Sequence, residues 1–138
     1  MIILRRLSKE KYHQVNPLWH IYRKIKFIKV LKQTLIIEIA RFIPSMKFKN
    51  KIYKKLLKMD VWNHTSFAYK VLPDLFYPEY ISVGKNTVIG YNTTILTHEA
   101  LVDEWRVGKV IIGDYTLIGA NTTISVSYTH LRAHETDS

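Results

Sequence analysis

Cysteine is absent from this sequence of 138 residues. A chain without cysteine has no disulfide framework, no thiolate nucleophile and no cysteine metal ligand, so nothing in it requires an oxidising compartment. Long apolar runs are missing as well: Lys32, Glu38 and Arg41 interrupt the most apolar segment, residues 31–43. A membrane-spanning helix needs about 20 apolar residues. The first six residues lack the apolar core and cleavage site of a secretory signal. We therefore expect a cytoplasmic protein, with peripheral contact at the inner membrane face left open.

Acidic residues are scarce in the first part of the chain. The net charge is +10, and residues 1–60 hold 16 of the 21 Lys and Arg with only Glu10, Glu38 and Asp60 as acids, which leaves +13 there and −3 in the remainder. We interpret residues 1–60 as a basic amphipathic helical segment. A long helix is predicted from Leu18, with Asn16 as its cap, and a second helix over residues 48–59.

The apolar residues of these two helices recur at helical spacing. The predicted apolar faces are Leu18, Ile21, Ile25, Ile28, Leu35, Ile39 and Phe42 in the first helix and Phe48, Ile52 and Leu56 in the second. One interpretation is that residues 18–58 contact an anionic membrane surface weakly, because lysines alternate with aromatic residues there. The other is that the apolar faces pack on the rest of the fold and the lysines are solvated. No nucleic-acid-binding motif accompanies the charge, so we predict no nucleic-acid partner.

A six-residue repeat occupies residues 81–124. A β-branched aliphatic residue recurs at Val83, Ile89, Ile95, Ile112, Ile118 and Ile124. Four of the six have glycine directly after them (Gly84, Gly90, Gly113 and Gly119), and four have threonine two residues before them (Thr87, Thr93, Thr116 and Thr122). Neither a helix nor a simple strand has this period, but a chain that turns a corner every six residues does. We expect the aliphatic side chains to point inward. Glycine, and Asn86, Asn92 and Asn121, are expected to adopt tight or left-handed corner backbone.

The repeat resembles that of the hexapeptide-repeat left-handed β-helix acyltransferases, and most closely the galactoside and maltose O-acetyltransferase branch. The resemblance implies a mainly β fold, a left-handed parallel β-helix preceded by N-terminal α-helices, with about three strands per coil. The β-helix acyltransferase domain is assigned to residues 61–124 and is incomplete by this comparison. Residues 60–80, aromatic and without the clean repeat, would form a first, irregular coil.

An interruption of the repeat at residues 96–109 is the natural place for chemistry, because a loop leaving a regular solenoid frees its side chains. His98 lies at its base. The resemblance implies that this histidine is the general base that takes a proton from an acceptor hydroxyl as the oxygen attacks acetyl-CoA. Imidazole titrates near neutral pH and suits that role. Its other ring nitrogen needs a partner, and we predict Glu104 in preference to Glu99.

The remaining site residues follow from position and resemblance. Asp74 and Glu99 are candidate acceptor-binding residues, and Asp74 stands near the place where relatives carry an asparagine. Arg106 either binds a phosphate of the coenzyme or pairs with Asp103. The resemblance assigns pantetheine contacts to Gly119 and Ala120 and implies a homotrimer with sites between subunits. The sequence shows no metal-binding motif, and no metal is predicted.

The repeat ends at Ile124. Residues 125–138 have no six-residue phase, and residues 126–136 resemble translated sequencing-adapter read-through on a truncated reading frame, so this tail is interpreted as non-native. A genuine polar tail is the alternative, and the truncated chain is expected to be inactive if the missing coils carry the coenzyme groove.

The sequence as a whole predicts an acyl-CoA-dependent O-acetyltransferase that moves an acetyl group from acetyl-CoA to a hydroxyl of a small-molecule acceptor, a sugar or related compound. N-acylation of an amino sugar or amino acid is the alternative enzyme activity. A non-catalytic β-helix or a membrane-surface binding protein is the alternative outside enzymes.

Overall fold

Eleven strands, most of them two or three residues long, form three separate sheets. The computed structural model describes residues 1–126. In chain order the strands are β1 (Ile2–Lys11), β2 (Asp60–Val61), β3 (Ser66–Phe67), β4 (Leu72–Pro73), β5 (Ile81–Val83), β6 (Val88–Ile89), β7 (Thr94–Leu96), β8 (His98–Ala100), β9 (Glu104–Ile112), β10 (Leu117–Ile118) and β11 (Thr123–Ser125).

The chain visits the three sheets in the same order three times. The first sheet has the order β1-β9-β5-β2, the second β10-β6-β3 and the third β11-β7-β4. Strands from successive visits pair in parallel, as Asp60 does with Ser82 and Val88 with Leu117. Residues 60–80 supply the first strand of each sheet apart from the edge strand β1. The left-handed parallel β-helix expected from the repeat stays a prediction at this point.

The inward orientation of the repeated aliphatic residues is confirmed. All six are at most 1% exposed and belong to one cluster: Val83, Ile89, Ile95, Ile112, Ile118 and Ile124. Two of the threonines that stand two residues before them join one visit to the next. Thr87 Oγ1 donates to the Gly113 carbonyl at 2.7 Å, and Thr93 Oγ1 donates to the Gly119 carbonyl at 3.1 Å.

The expected role of the glycines was wrong. No glycine has positive φ, whereas Asn86, Asn92 and Asn121 do, with φ of 51°, 58° and 59°. The asparagines therefore take the left-handed corners. Glycine is required instead where backbones from successive visits touch: a Cβ on Gly90 would lie 2.5 Å from the amide nitrogen of Ala120.

The N-terminal strand β1 was not expected, since residues 1–60 were interpreted as helical. It pairs antiparallel with β9 along the edge of the first sheet, from Ile2 opposite Ile112 to Lys11 opposite Glu104. The interruption of the repeat is likewise ordered, because β8 pairs antiparallel with β9. The basic segment is thus joined to the repeat by backbone hydrogen bonds and shares its core.

The single long helix predicted from Leu18 was wrong. A 3₁₀ helix covers Pro17–Arg23 and a separate helix, α1, covers Phe27–Arg41. The Asn16 cap is confirmed, since its side chain accepts from the Trp19 amide. The chain is extended at Lys26, which lets Ile25 pack with Trp105 while α1 turns toward a different part of the core.

Of the two interpretations of the predicted apolar face, packing on the rest of the fold does not hold for its residues in α1, which are exposed. The buried residues of α1 are Val30, Gln33, Ile37 and Ala40. The predicted Ile28, Leu35 and Ile39, and Phe42 directly after the helix, are exposed instead. Because α1 is apolar on both sides, spacing alone could not decide which side faces the core.

The second helix, α2, covers Met46–Leu56 and packs on β2 and β3. Of its predicted apolar face, Ile52 packs against the core, but Phe48 and Leu56 are exposed while Lys49 and Tyr53 are buried. Tyr53 packs edge-on against Phe67 at 5.0 Å, and Lys49 Nζ donates to the Phe67 carbonyl at 2.8 Å. Burial lowers the pKa of Lys49.

The predicted non-native tail lies almost wholly outside the described residues, which stop at Val126. Across residues 1–126, none of the helices has both the length and the apolar character needed to cross a membrane.

Candidate active site

The predicted catalytic histidine lies where the chain leaves the third sheet. Thr97 follows β7 and is anchored on both sides, with its amide donating to Asp74 Oδ2 at 2.8 Å and its hydroxyl donating to the Tyr77 carbonyl at 2.9 Å. His98 then opens β8, and its own amide donates to Asp74 Oδ2 at 3.1 Å. The backbone leading to the imidazole is therefore fixed before its side chain makes any contact.

Asp74 is the centre of this arrangement. It directly follows β4 and is 1% exposed. Its Oδ1 accepts from the amides of Phe76 at 2.7 Å and Tyr77 at 3.0 Å. Its Oδ2 accepts from Thr97 and His98 and also contacts the His98 ring nitrogen Nδ1. Burial alone would raise the pKa of Asp74, but the hydrogen bond to His98 and the amides of Tyr77 and Phe76 outweigh it and lower the pKa.

The His98 imidazole has one nitrogen held and one available. An ionised carboxylate only accepts hydrogen bonds, so the contact with Asp74 assigns the proton to Nδ1. Among residues 1–126 no side chain or backbone group hydrogen-bonds to Nε2, and the side chain is 17% exposed. The lone pair of Nε2 is thus positioned to accept a proton from a bound molecule.

Aromatic rings fix the plane of the imidazole. Phe76 lies 4.7 Å from the His98 ring centroid, and Trp105 stacks on it at 5.3 Å with an interplanar angle of 25°. Trp105 is 2% exposed and packs with Ile21, Ile25 and Val30 in a second hydrophobic cluster. The extended backbone at Lys26, just before α1, therefore matters for the site, since it lets Ile21 and Ile25 pack with the Trp105 indole.

A cavity of about 490 Å³ adjoins the site. Its walls come from β1, from β9 and from the aromatic segment after Asp74, and the lining residues are Leu7, Ser8, Glu10, Lys24, Tyr77, Tyr80, Trp105 and Val107. Tyr77 and Tyr80 stack with ring centroids 5.3 Å apart. Two of the cavity's lining residues also contact the site: Trp105 stacks on the imidazole, and the Tyr77 carbonyl accepts from the Thr97 hydroxyl.

The predicted partner of His98 was wrong. Glu104 is 2% exposed but contacts cations instead: Lys11 Nζ lies 2.8 Å from Oε1, and Arg106 Nε contacts Oε2. The hydrogen bonds from Lys11 and then Arg106 lower the pKa of Glu104 to about 2. Glu104 thus joins β1 to β9, and Asp74, predicted to bind the acceptor, holds the imidazole.

Arg106 contacts carboxylates other than that of Asp103, the ion-pair partner that was one of its two predicted alternatives. It contacts Glu104, and its Nη1 lies 3.7 Å from Glu99 Oε2, whereas Asp103 lies 4.0 Å from Lys11. Glu99 stands opposite Arg106 in the β8–β9 pairing. Alternation along β8 points Glu99 away from the face that carries His98.

The predicted coenzyme contacts lie apart from the histidine. Gly119 and Ala120 form the exposed corner between β10 and β11, at the opposite end of the third sheet's strands from His98. Space is open there, since the nearest atom to a Cβ on Gly119 is Thr122 Oγ1 at 4.0 Å. Within residues 1–126 no group of three or more His, Asp and Glu could hold a metal ion.

Comparison with known proteins gives the chain an enzymatic context. It is 59% identical over 98 residues to "Putative acetyltransferase SAR0816" of Staphylococcus aureus (strain MRSA252), covering 71% of this chain and 61% of that protein. It is 51% identical over 106 residues to "Putative acetyltransferase YvoF" of Bacillus subtilis (strain 168), covering 77% of this chain and 62% of that protein. The similarity is to named acetyltransferases.

The chain spans about three-fifths of the length of these relatives. No protein-family model matches it. No solved structure matches it either. The general prediction of an acetyltransferase thus agrees with the names of its relatives, and the finer features of that prediction are proposals.

Sequence reasoning missed three features of the site: the role of Asp74 and the two rings against His98, Phe76 and Trp105. One clue was present, because Asp74 stands between Pro73 and Leu75 in an apolar stretch. A carboxylate in such a stretch is buried only when donors surround it. Nothing in the sequence indicated that those donors would include a histidine 24 residues away.

Proposed function

We propose that this chain is part of an acyl-CoA-dependent O-acetyltransferase in which His98 is the general base. The acetyl group would pass from acetyl-CoA to a hydroxyl of a small-molecule acceptor, a sugar or related compound. The observation that carries the proposal is the contact of His98 Nδ1 with the buried Asp74 carboxylate, which leaves Nε2 as the nitrogen that can accept a proton.

His98 would act twice in each turnover. Nε2 takes the proton of the acceptor hydroxyl as that oxygen bonds to the thioester carbonyl carbon, because a neutral hydroxyl is a poor nucleophile. When the carbon–sulfur bond breaks, the imidazolium returns the proton to the departing sulfur. The products are the ester and the free thiol of CoA, and the enzyme regains its starting protonation.

Asp74 would be a positioning residue in this scheme. Its carboxylate holds the Nδ1 tautomer and stabilises the imidazolium that forms when Nε2 is protonated. Because four backbone amides already donate to it, the carboxylate stays ionised and does not compete for the transferred proton. The same amides prevent it from rotating away from the ring.

Acetyl-CoA supplies the activated acetyl group, and the exposed backbone of Gly119 and Ala120 is where we propose that its pantetheine arm lies. The open space at Gly119 supports that placement. Arg106 is left out of the proposed coenzyme site, because Glu104 and Glu99 already surround its guanidinium.

The fold and assembly belong to the same proposal. Three sheets visited in a fixed order, with strands of successive visits paired in parallel, support a parallel β-helix. The resemblance of the repeat implies the left hand and a homotrimer with each site between subunits. In such an assembly Gly119 and Ala120 of one subunit would serve His98 of another, which would explain their separation within one chain.

Thiol release from acetyl-CoA in the presence of candidate sugars tests the proposal. The full-length protein is compared with His98→Gln, and His13→Gln serves as control because His13 is exposed and does not line the cavity. We expect His98→Gln to lower the rate by about 10²-fold or more, with the thermal unfolding midpoint retained. An unchanged rate in folded His98→Gln protein would contradict the proposal.

A further inference from the structure

The outward face of α1 is a continuous apolar stripe. Its members recur every three or four residues and so lie on one side of the helix. They are Ile28 (66% exposed), Leu31 (43%), Leu35 (57%), Ile39 (65%) and Phe42 (49%), the last directly after the helix. We call these five residues the α1 stripe.

A helix with an apolar outward face is unusual, because such faces normally carry charged and polar residues. The inward face of α1 contributes Ile37 and Ala40 to the core, whereas the stripe residues do not belong to that core cluster. Exposed aromatic pairs stand at both ends: Tyr22 with Phe27 before it, and Tyr69 with Phe42 after it. A contiguous apolar surface of this kind marks an interaction site.

The charge around the stripe distinguishes between occupants. Residues 17–58 carry 12 Lys and Arg and a single acid, Glu38. Of these cations Lys49 is buried, and Lys24, Lys29 and Arg41 pair with carboxylates, which leaves eight others. Exposed Lys32 lies four residues after Ile28 on the same side of α1, and exposed Lys26 lies just before the helix. A second copy packed stripe to stripe would bring two such basic segments together. An anionic surface would neutralise them instead.

We propose that α1 lies along the surface of an anionic lipid bilayer, with the α1 stripe at the boundary between headgroups and acyl chains. Lys26 and Lys32 extend from the edges of the stripe to lipid phosphates, as long basic side chains do at such boundaries. Trp19, which is 77% exposed, and Tyr22 occupy the headgroup level that amphipathic rings prefer. α1 has 15 residues, about 22 Å, which suits a helix lying on the surface.

Sedimentation of the 138-residue chain with lipid vesicles tests the proposal. Vesicles of phosphatidylcholine with phosphatidylglycerol are compared with vesicles of phosphatidylcholine alone, at low and high salt. The test variant is Leu35→Gln with Ile39→Gln. Leu117→Gln is the matched control, because Leu117 is 65% exposed and lies on β10, in the second sheet. Thermal unfolding and sedimentation velocity are measured for each protein.

The expected result is binding to anionic vesicles that weakens at high salt and is weak on phosphatidylcholine alone. The double variant should partition at least about tenfold less, since it removes two of five inserted apolar side chains, while Leu117→Gln binds as the parent does. Failure of the parent to bind overturns the proposal, and so does equal binding by the double variant. An oligomer that the double variant dissociates assigns the stripe to a second copy, and a lowered unfolding midpoint assigns it to other residues of the same chain.

Discussion

Replacing Asp74 by asparagine removes one charge and one acceptor atom from a site that uses both. Four backbone amides donate to the carboxylate at 2.7, 3.0, 2.8 and 3.1 Å, two to each oxygen, and the His98 ring contacts one of them. An asparagine has one oxygen and one NH₂ group. In either orientation the NH₂ group faces two backbone donors, which are buried and lose their acceptor.

The free-energy cost follows from that count. A buried donor left without a partner costs about 1–3 kcal/mol, so two of them cost roughly 3 kcal/mol or more. For a domain of this size that loss lowers the unfolding midpoint by about 10 °C. Asp114→Asn is the matched control, because Asp114 is exposed and its Oδ1 accepts a single backbone amide, from Lys85 at 2.9 Å, which asparagine can replace.

Thermal unfolding followed by far-ultraviolet circular dichroism measures the difference. Because the pKa of Asp74 is lowered in the folded state, its stabilising effect is present above the unfolded pKa of about 4 and is lost as pH falls toward the folded value. Asp74→Asn should therefore lack that part of the acid sensitivity of the parent. An unfolding midpoint within about 1 °C of the parent at pH 7 would refute the proposed role of the carboxylate in the fold.

Three further predictions concern other contacts. Gly90→Ala should lower the free energy of unfolding by about 2 kcal/mol, because its Cβ would lie 2.5 Å from the Ala120 nitrogen. Gly119→Ala, where space is open, should match the parent in thermal unfolding. Equal unfolding midpoints for the two variants would contradict this. Because burial lowers the pKa of Lys49 in the folded state, the parent should become more stable as pH rises from 7 to 10. Lys49→Met should lack this rise when denaturant midpoints are measured at both pH values. The same rise in the variant would count against this role of Lys49. The parent should lose stability as pH falls from about 4.5 to about 2, because Glu104 is then protonated and its ion pairs are lost. Glu104→Gln should lack this loss. The same dependence of stability on pH in the variant would argue against the ion pairs.

The repeat could be predicted from the sequence because it is local and periodic. Inward positions such as Ile89 follow from spacing alone, and burial of the whole series agrees with it. The position of His98 at the interruption of the repeat followed in the same way. These features depend on residues close together in the chain, where period and turn chemistry determine the backbone.

Contacts between distant segments could not be predicted. The pairing of β1 with β9 depends on an edge of the first sheet that exists only once the chain has folded. For His98 the sequence offered nearby Glu104, but tertiary structure brought Asp74 to the ring and Lys11 to Glu104. Which face of α1 packs on the core could not be decided from its sequence pattern, since both of its faces are apolar.

The central claim is that Asp74 holds the Nδ1 proton of His98 and leaves Nε2 as the proton acceptor. Nitrogen-15 NMR of the histidine side chains measures this directly, with His98→Gln identifying the resonance among the six histidines. For neutral His98 we predict a protonated Nδ1 and an unprotonated Nε2. A proton on Nε2 of neutral His98 in the parent would contradict the account.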